Sequence, residues 1–328
     1  MQSVLVTGAT GFLGGRLCAT LRAHGYDVIA HGRARSGCRA LQDQGFQVVR
    51  HDLTGPLTSE AGRTLRACGA VVHCAALSAP FGRRQDFVDA NVTATRHLLA
   101  ACAGSDVERF VCISSPSVYF SFQDQLDVTE SAVLPRPVNA YAETKRMAEK
   151  LVLGTSGIST ICLRPRGIYG HGDTALLPRL LSAARRGALP LMRQGRARID
   201  LTHVDDVIAA ILAALQAPPE VSGEIFNISG GEALPLTHIV GQACARAGVE
   251  PAWKPVPVSA ALGAAWAFET IAKCMPHRPE PRITRYAVGL FAYEQSLSIA
   301  KAGRILKWSP QTSFEQGLDE TFAEFRAS

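Results

Sequence analysis

The chain has 328 residues, 47% of them hydrophobic, and a formal net charge of +6. That length and apolar content suit a globular protein with one large packed core and a smaller lobe. The charge is modest and comes without a recognition-helix or zinc pattern, which argues against nucleic acid as a partner. The nine cysteines include no CxxC pair, so buried reduced thiols are expected rather than a disulfide or metal framework. The first residues run straight into an apolar strand with no export-signal pattern, which makes the cytoplasm the expected location.

In chain order, "SVLVTG" reads as a strand and residues 11–24 as a helix, followed by the strand "DVIAHG". Then come "FQVVRHDL", a helical stretch, "AVVHCAA", a helix around 91–103, "RFVCISS", a helix over 141–153 and "STICLRP". Strands alternating with helices at this spacing imply βαβ crossovers and a parallel sheet covered on both faces, an α/β Rossmann-like doubly wound fold. After Pro165 the pattern loosens into "ARIDLTHV", "EIFNIS" and several helices. The expected division is a dinucleotide-binding domain over 1–165, with 199–230 returning to it, and a mainly substrate-binding lobe over 166–328.

Two later stretches leave alternatives open. Residues 256–271 are apolar apart from Ser259, Glu269 and Thr270. They are too short and interrupted for a membrane span, and suit either a buried helix of the small lobe or one lining a greasy entrance or touching a membrane or partner; membrane contact is not the expectation. Between Arg179 and Arg198 lie Arg185, Arg186, Arg193 and Arg196 with no acidic residue, a solvated face or an attraction for anions. His203, Asp205 and Asp206 would be a tempting ligand cluster, but a strand end followed by helix-capping carboxylates is preferred, and no metal is expected.

In "TGATGFLG", Gly8, Gly11 and Gly14 follow a strand and open a helix. Such glycines permit a tight turn, close approach of a pyrophosphate to the backbone, and tight helix packing. At the end of the second strand, where an acid would bind a free ribose 2′-hydroxyl, the chain reads "AHGRARSGCR", with Arg33, Arg35 and Arg39. Guanidinium groups suit a 2′-phosphate, so NADP is expected ahead of NAD. Tyr141 and Lys145, four apart, share a helix face. A lysine ammonium beside a phenol favours the phenolate, which can exchange a proton with a substrate oxygen while hydride moves at a nicotinamide. A serine hydroxyl at the preceding strand end could hold the same oxygen.

With these motifs, "HDL", "NVTATRHLL", "ISSPSVY", "YAETK", "LRPRGIYGHGD" and "HVDDV", the sequence resembles the extended short-chain dehydrogenases/reductases, the group of NAD-dependent epimerases and dehydratases. The resemblance implies a catalytic set of Ser115, Tyr141, Lys145 and Asn91, with Ser114 a cofactor-side neighbour. It implies a cofactor resting on Gly8, Thr10, Gly11, Phe12, Leu13, Gly14, Arg33, Asp52, Leu53, Ala75, Ala76 and Pro165, besides Tyr141 and Lys145. A homodimer through the helices carrying Asn91 and Tyr141 is implied too. Ala94, Thr144 and Phe120 depart from the family pattern, and Phe120 suggests an apolar pocket wall.

Sugar-nucleotide members carry an arginine four residues before the histidine of "HVDD"; here Ile199 stands there. The stretch "PEPRITRYAVGLFAYEQSLSIAKAGRILKWSP" instead resembles the 3β-hydroxysteroid dehydrogenase-like branch, which includes 2-alkyl-3-ketoalkanoate reductases. The expected function is therefore an NADP(H)-dependent alcohol–ketone oxidoreductase of a small hydrophobic or acyl substrate. The alternatives are a sugar-nucleotide epimerase or dehydratase holding NAD, and a non-catalytic NADP(H) sensor.

Overall fold

The computed structural model describes residues 3–327. Seven β-branched-rich runs form one sheet: β1 (Ser3–Thr7), β2 (Asp27–Gly32), β3 (Gln47–Arg50), β4 (Ala70–His73), β5 (Arg109–Ile113), β6 (Ser159–Pro165) and β7 (Glu224–Ile228). Their order is β7-β6-β5-β4-β1-β2-β3, and every pairing is parallel. Parallel strands need crossovers that cover both faces, which is why β4 and β5 are buried throughout. On one face Val4, Val6 and Val111 pack with Leu17, Val207 and Ile211. On the other, Leu5, Val71 and Phe110 pack with Leu98 and Val152. Because the chain runs outward from β1 to β3 and then returns to β4 on the other side, the strand order reverses between β1 and β4. A crevice opens at the carboxyl ends there, the usual ligand position of this architecture.

The rest of the chain builds over those carboxyl ends. Gln125–Val128, Arg198–Ile199, Leu234–Pro235 and Gln295–Leu297 make a second, four-stranded sheet. The helices Leu176–Arg186, Leu236–Arg246 and Phe314–Ala327 contribute to a further core around Leu177, Ile239, Val240 and Leu318.

Two expectations need correction, and one stretch left open takes a definite form. The run "ARIDLTHV" is not one strand: Arg198–Ile199 joins the second sheet, while Thr202–His203 pairs with Ile168–Tyr169. Asp200 between them is 1% exposed, and its carboxylate must be satisfied. It accepts from the Ser229 hydroxyl at 2.7 Å and the Leu297 N–H at 2.9 Å, which divides the run. The chain therefore rejoins the main sheet's layers from the helix Val204–Gln216 onward, with β7 as edge strand. The helix expected around 91–103 starts earlier, as Arg84–Phe87, and passes through a π-helical turn, Val88–Thr93, into Ala94–Cys102. The apolar stretch 256–271 becomes the helix Val258–Cys274, and it is only half buried. Ala261, Ala265 and Ala272 face inward, while Trp266, Phe268 and Ile271 are exposed. No described helix is long and apolar enough to cross a membrane.

Candidate active site

The glycine turn sits at the carboxyl end of β1. Gly8 has φ +70°, and a Cβ there would lie 2.8 Å from the Ala75 nitrogen at the end of β4. A Cβ on Gly14 would lie 2.2 Å from the Gly8 carbonyl oxygen, so only glycine lets the helix Phe12–Ala23 dock on its own turn. Gly11 caps that helix with no side-chain hydrogen bond, leaving first-turn N–H groups for an external acceptor. Thr10 packs over the end of β2, where a Cβ on Gly32 would meet its methyl at 2.6 Å. This bare backbone cradle fits the pyrophosphate of a dinucleotide.

Arg33 leaves β2 with its side chain 73% exposed, 3.8 Å from Asp52. The Asp52 carboxylate accepts from the Thr54 N–H at 3.0 Å and its hydroxyl at 2.9 Å. Led by the N–H bond, these contacts hold its pKa below the usual carboxylate value. Leu53 is 5% exposed and belongs to the core beneath the sheet, so its side chain supports the site from below.

Asn91 lies in the π-helical turn, 2% exposed. Its Oδ1 accepts from the Leu77 N–H at 2.7 Å, and its Nδ2 donates to the Leu77 carbonyl at 3.2 Å and to the Thr144 hydroxyl at 3.0 Å. Leu77, in the loop after β4, is thereby tied to the helix Ala140–Leu153. Asn139 caps that helix, accepting from the Ala142 N–H at 2.9 Å, and Tyr141 is half-buried in its first turn. Lys145, one turn on, is 4% exposed and donates to the Ile113 carbonyl at 2.6 Å. Ser115 follows at the end of β5, where its Oγ accepts from the Ser117 N–H at 3.2 Å. Pro165 ends β6 and is buried. Thus Ser115, the helix that carries Tyr141 and Lys145, and the loop that Asn91 holds lie at the carboxyl ends of β4 and β5, beside the glycine turn.

Two expected placements differ. Ser114 does not face a cofactor: it is 5% exposed, and its hydroxyl donates at 2.5 Å to Glu149 inside the protein. Asp205 and Asp206 do not cap their own helix. Nε and Nη2 of Arg16 donate to Asp205, at 2.6 and 2.8 Å, and Asp206 accepts from the Gln311 and Thr312 N–H groups.

Sequence reading missed the support beneath the site. Glu149 takes Nε and Nη2 of Arg164, each at 2.7 Å, and Arg164 donates through Nη1 to the Tyr119 hydroxyl. Tyr119 in turn donates to Asn227 Oδ1 at 2.9 Å. The signal was available, for Arg164 directly follows the apolar run 161–163 within one strand and Glu149 stands one turn beyond Lys145. Also missed was Tyr286. Its ring packs edge-on to Phe120 at 5.1 Å, and Phe120 meets Phe122 at 5.3 Å. Burial pushes the Tyr286 phenol up to about 12, with Arg166 and Tyr141 close enough to act on it. Phe120 is 2% exposed, part of an aromatic wall.

The NAD dependent epimerase/dehydratase family pattern matches residues 4–229. A 2-alkyl-3-oxoalkanoate reductase of Stenotrophomonas maltophilia is 32% identical over 97% of this chain and 97% of its own. The decarboxylating sterol-4-alpha-carboxylate 3-dehydrogenase of Schizosaccharomyces pombe is 30% identical over 98% and 97%. In fold, the chain is similar to UDP-glucuronic acid 4-epimerase from Bacillus cereus, solved with UDP-glucuronic acid and NAD, at TM-score 0.77, 24% identity and 99% of both chains. The chain belongs to the NAD dependent epimerase/dehydratase family, the extended short-chain dehydrogenases/reductases, and is a nicotinamide-dependent oxidoreductase acting on CH–OH groups.

Proposed function

We propose that the protein interconverts a secondary alcohol and a ketone on a hydrophobic substrate, using NADP(H), with Tyr141 as proton carrier. The observation that carries this reading is the burial of Lys145. The residue is 4% exposed, its ammonium donates to the Ile113 carbonyl, and no carboxylate lies within ion-pairing distance among the described residues. An unpaired buried cation costs several kcal/mol, roughly, and such groups cluster at functional sites. One turn from Tyr141 on the same helix, that charge compensates the negative charge that develops on the phenol oxygen as its proton moves.

A nicotinamide dinucleotide on the glycine turn supplies or accepts the hydride. Tyr141 gives its proton to the ketone oxygen, or takes one from the alcohol. Ser115 hydrogen-bonds the same oxygen and orients it. Lys145 compensates the phenolate, and Asn91 keeps the strand-end loop and the Tyr141 helix in register for the proton relay. Arg33 favours NADP(H) by offering an exposed guanidinium to a 2′-phosphate. A homodimer joined through the helices of Asn91 and Tyr141 belongs to the same reading.

The apolar character of the substrate rests on the Phe120, Phe122 and Tyr286 wall and on Ile199 in place of a diphosphate-binding arginine. The names of the two relatives share a feature: a carboxylate on the carbon next to the one carrying oxygen. A 3-oxo acid with a bulky 2-substituent, or a sterol acid of that pattern, is the substrate class that follows.

The test is NADPH and NADH absorbance with the purified protein and a 2-alkyl-3-oxo acid, a 3-ketosteroid and a UDP-sugar, with Tyr141→Phe as control. Oxidation of NADPH by an apolar ketone, lost in Tyr141→Phe, is the expected result. Conversion of the UDP-sugar with silence on both ketones would overturn the reading.

A further inference from the structure

Four of the seven large apolar side chains exposed among the described residues lie on, or one residue past, a single helix: Trp266 (58%), Phe268 (46%), Ile271 (60%) and Met275 (48%). Trp266 and the Phe268–Ile271 pair flank an outward arc made of Gly263, Ala264, Ala267, Thr270 and Cys274, all exposed. This helix, Val258–Cys274, is therefore apolar on its solvent side as well as where it packs on the helix Arg285–Ala292. A surface helix apolar on both sides has an outer face that something covers.

The charges around it indicate what. No acidic residue occurs from 251 to 268. Lys254 precedes the helix, and Lys273, Arg278 and Arg282 lie at or beyond its end; all four are exposed and none pairs with a carboxylate among the described residues. Of the acids that flank this segment in sequence, Glu269 is engaged by Arg285 at 2.9 Å and Glu280 by Arg179 at 3.0 Å, which leaves exposed Glu250, before Lys254, against four basic groups. An apolar face with exposed tryptophan, bracketed by unpaired basic groups, matches the boundary between anionic headgroups and acyl chains. A second copy of this chain on the same face would bring like charges together, which disfavours self-association.

We propose that the helix Val258–Cys274 docks this protein peripherally on an anionic lipid surface, with Trp266, Phe268, Ile271 and Met275 entering the interface and Lys273, Arg278 and Arg282 meeting the headgroups. The helix's inner face rests on Arg285–Ala292, which carries Tyr286. Docking would thus set the aromatic wall of the site one helix away from a lipid reservoir, a use that rests on the proposed function, whereas lipid binding itself does not.

The experiment is co-sedimentation of the full chain with phosphatidylcholine vesicles, with and without phosphatidylglycerol, alongside analytical ultracentrifugation of the protein alone. The variants are Trp266→Ala/Ile271→Ala and Lys273→Glu/Arg278→Glu, with circular dichroism and thermal midpoints as checks that both fold. Wild type is expected to bind the phosphatidylglycerol vesicles, more weakly at high salt, with each variant losing about tenfold or more in affinity. Failure of wild type to bind those vesicles, or binding by Trp266→Ala/Ile271→Ala equal to wild type, overturns the proposal. A dimer that dissociates in that variant, without vesicle binding, identifies the face as a self-interface and overturns it equally.

Discussion

The side-chain amide of Asn91 donates to the hydroxyl of Thr144 at 3.0 Å across 53 positions of chain, and the same amide clasps Leu77 through both its N–H and its carbonyl. One side chain thereby couples the loop after β4 to the helix of Tyr141 and Lys145. The Thr144 hydroxyl also donates to the Ala140 carbonyl at 2.8 Å, so it keeps a partner when Asn91 is removed. The Leu77 N–H does not. Asn91→Ala is expected to cost about 1–3 kcal/mol in urea unfolding. It should also lower turnover by about tenfold or more while leaving the Tyr141 helix formed by circular dichroism. Unchanged kinetics with reduced stability would reduce Asn91 to a structural bolt.

Glu149 and Arg164 form a buried ion pair, with side chains 4% and 2% exposed, that also receives the Ser114 hydroxyl. Removing one partner strands the other charge, so Arg164→Met or Glu149→Leu alone is expected to cost about 3–5 kcal/mol. The double replacement should recover much of that loss, because it leaves no orphan charge. Urea unfolding of the two single variants and the double one measures the coupling directly. Additive losses would mean that the pair does not act as a unit.

Much of this was legible in the sequence because it is local. The β1 turn, the second strand "DVIAHG" and the sixth, "STICLRP", follow from apolar runs beside glycine or proline. Tyr141 and Lys145 share a face by helix periodicity alone. What escaped depends on contacts distant in sequence. Asp200 divides "ARIDLTHV" through partners at Ser229 and Leu297. Ser114 turned inward because Glu149 lies beneath it, and Tyr286 reaches the site from a helix nearly 150 positions after Tyr141. A period-2 or period-3.6 pattern carries no information about such partners.

The aromatic wall gives a prediction that separates substrate from cofactor. A Cβ on Gly289 would lie 2.4 Å from Phe120 Cζ, a ring already held by Phe122 and Tyr286. Gly289→Ala must therefore displace the Phe120 ring, an overpacking that typically costs about 1–3 kcal/mol. The glycine turn belongs to a different part of the site. NADPH affinity, followed by fluorescence titration, should stay unchanged while KM for an apolar ketone rises about fivefold or more. Equal loss of both would show that Phe120 shapes the whole crevice rather than the substrate side.

Acid should destabilise this fold well above the carboxylate range. Burial lowers His31 to about 4 and His73 to about 3, against an ordinary value near 6.5. His73 spends its ring on Thr7 at 2.8 Å and Thr95 at 3.0 Å, whereas neither ring nitrogen of His31 has a hydrogen-bond partner. Above pH 6.5 both states hold these rings neutral and stability does not respond to them. As pH falls below 6.5, the unfolded chain takes up protons that the folded one refuses until about pH 4 and about pH 3. The folded state therefore loses about 1.4 kcal/mol per pH unit for each histidine. Arginine-paired carboxylates such as Asp124 and Glu143 have lowered values, so their contribution is lost only at lower pH. Urea unfolding at pH 7.0, 6.0 and 5.0 is expected to show stability that falls steadily from 6.0 to 5.0, with a slope of about two protons or more, because burial lowers His203 as well. A midpoint unchanged over that interval would mean that both rings accept protons inside the fold.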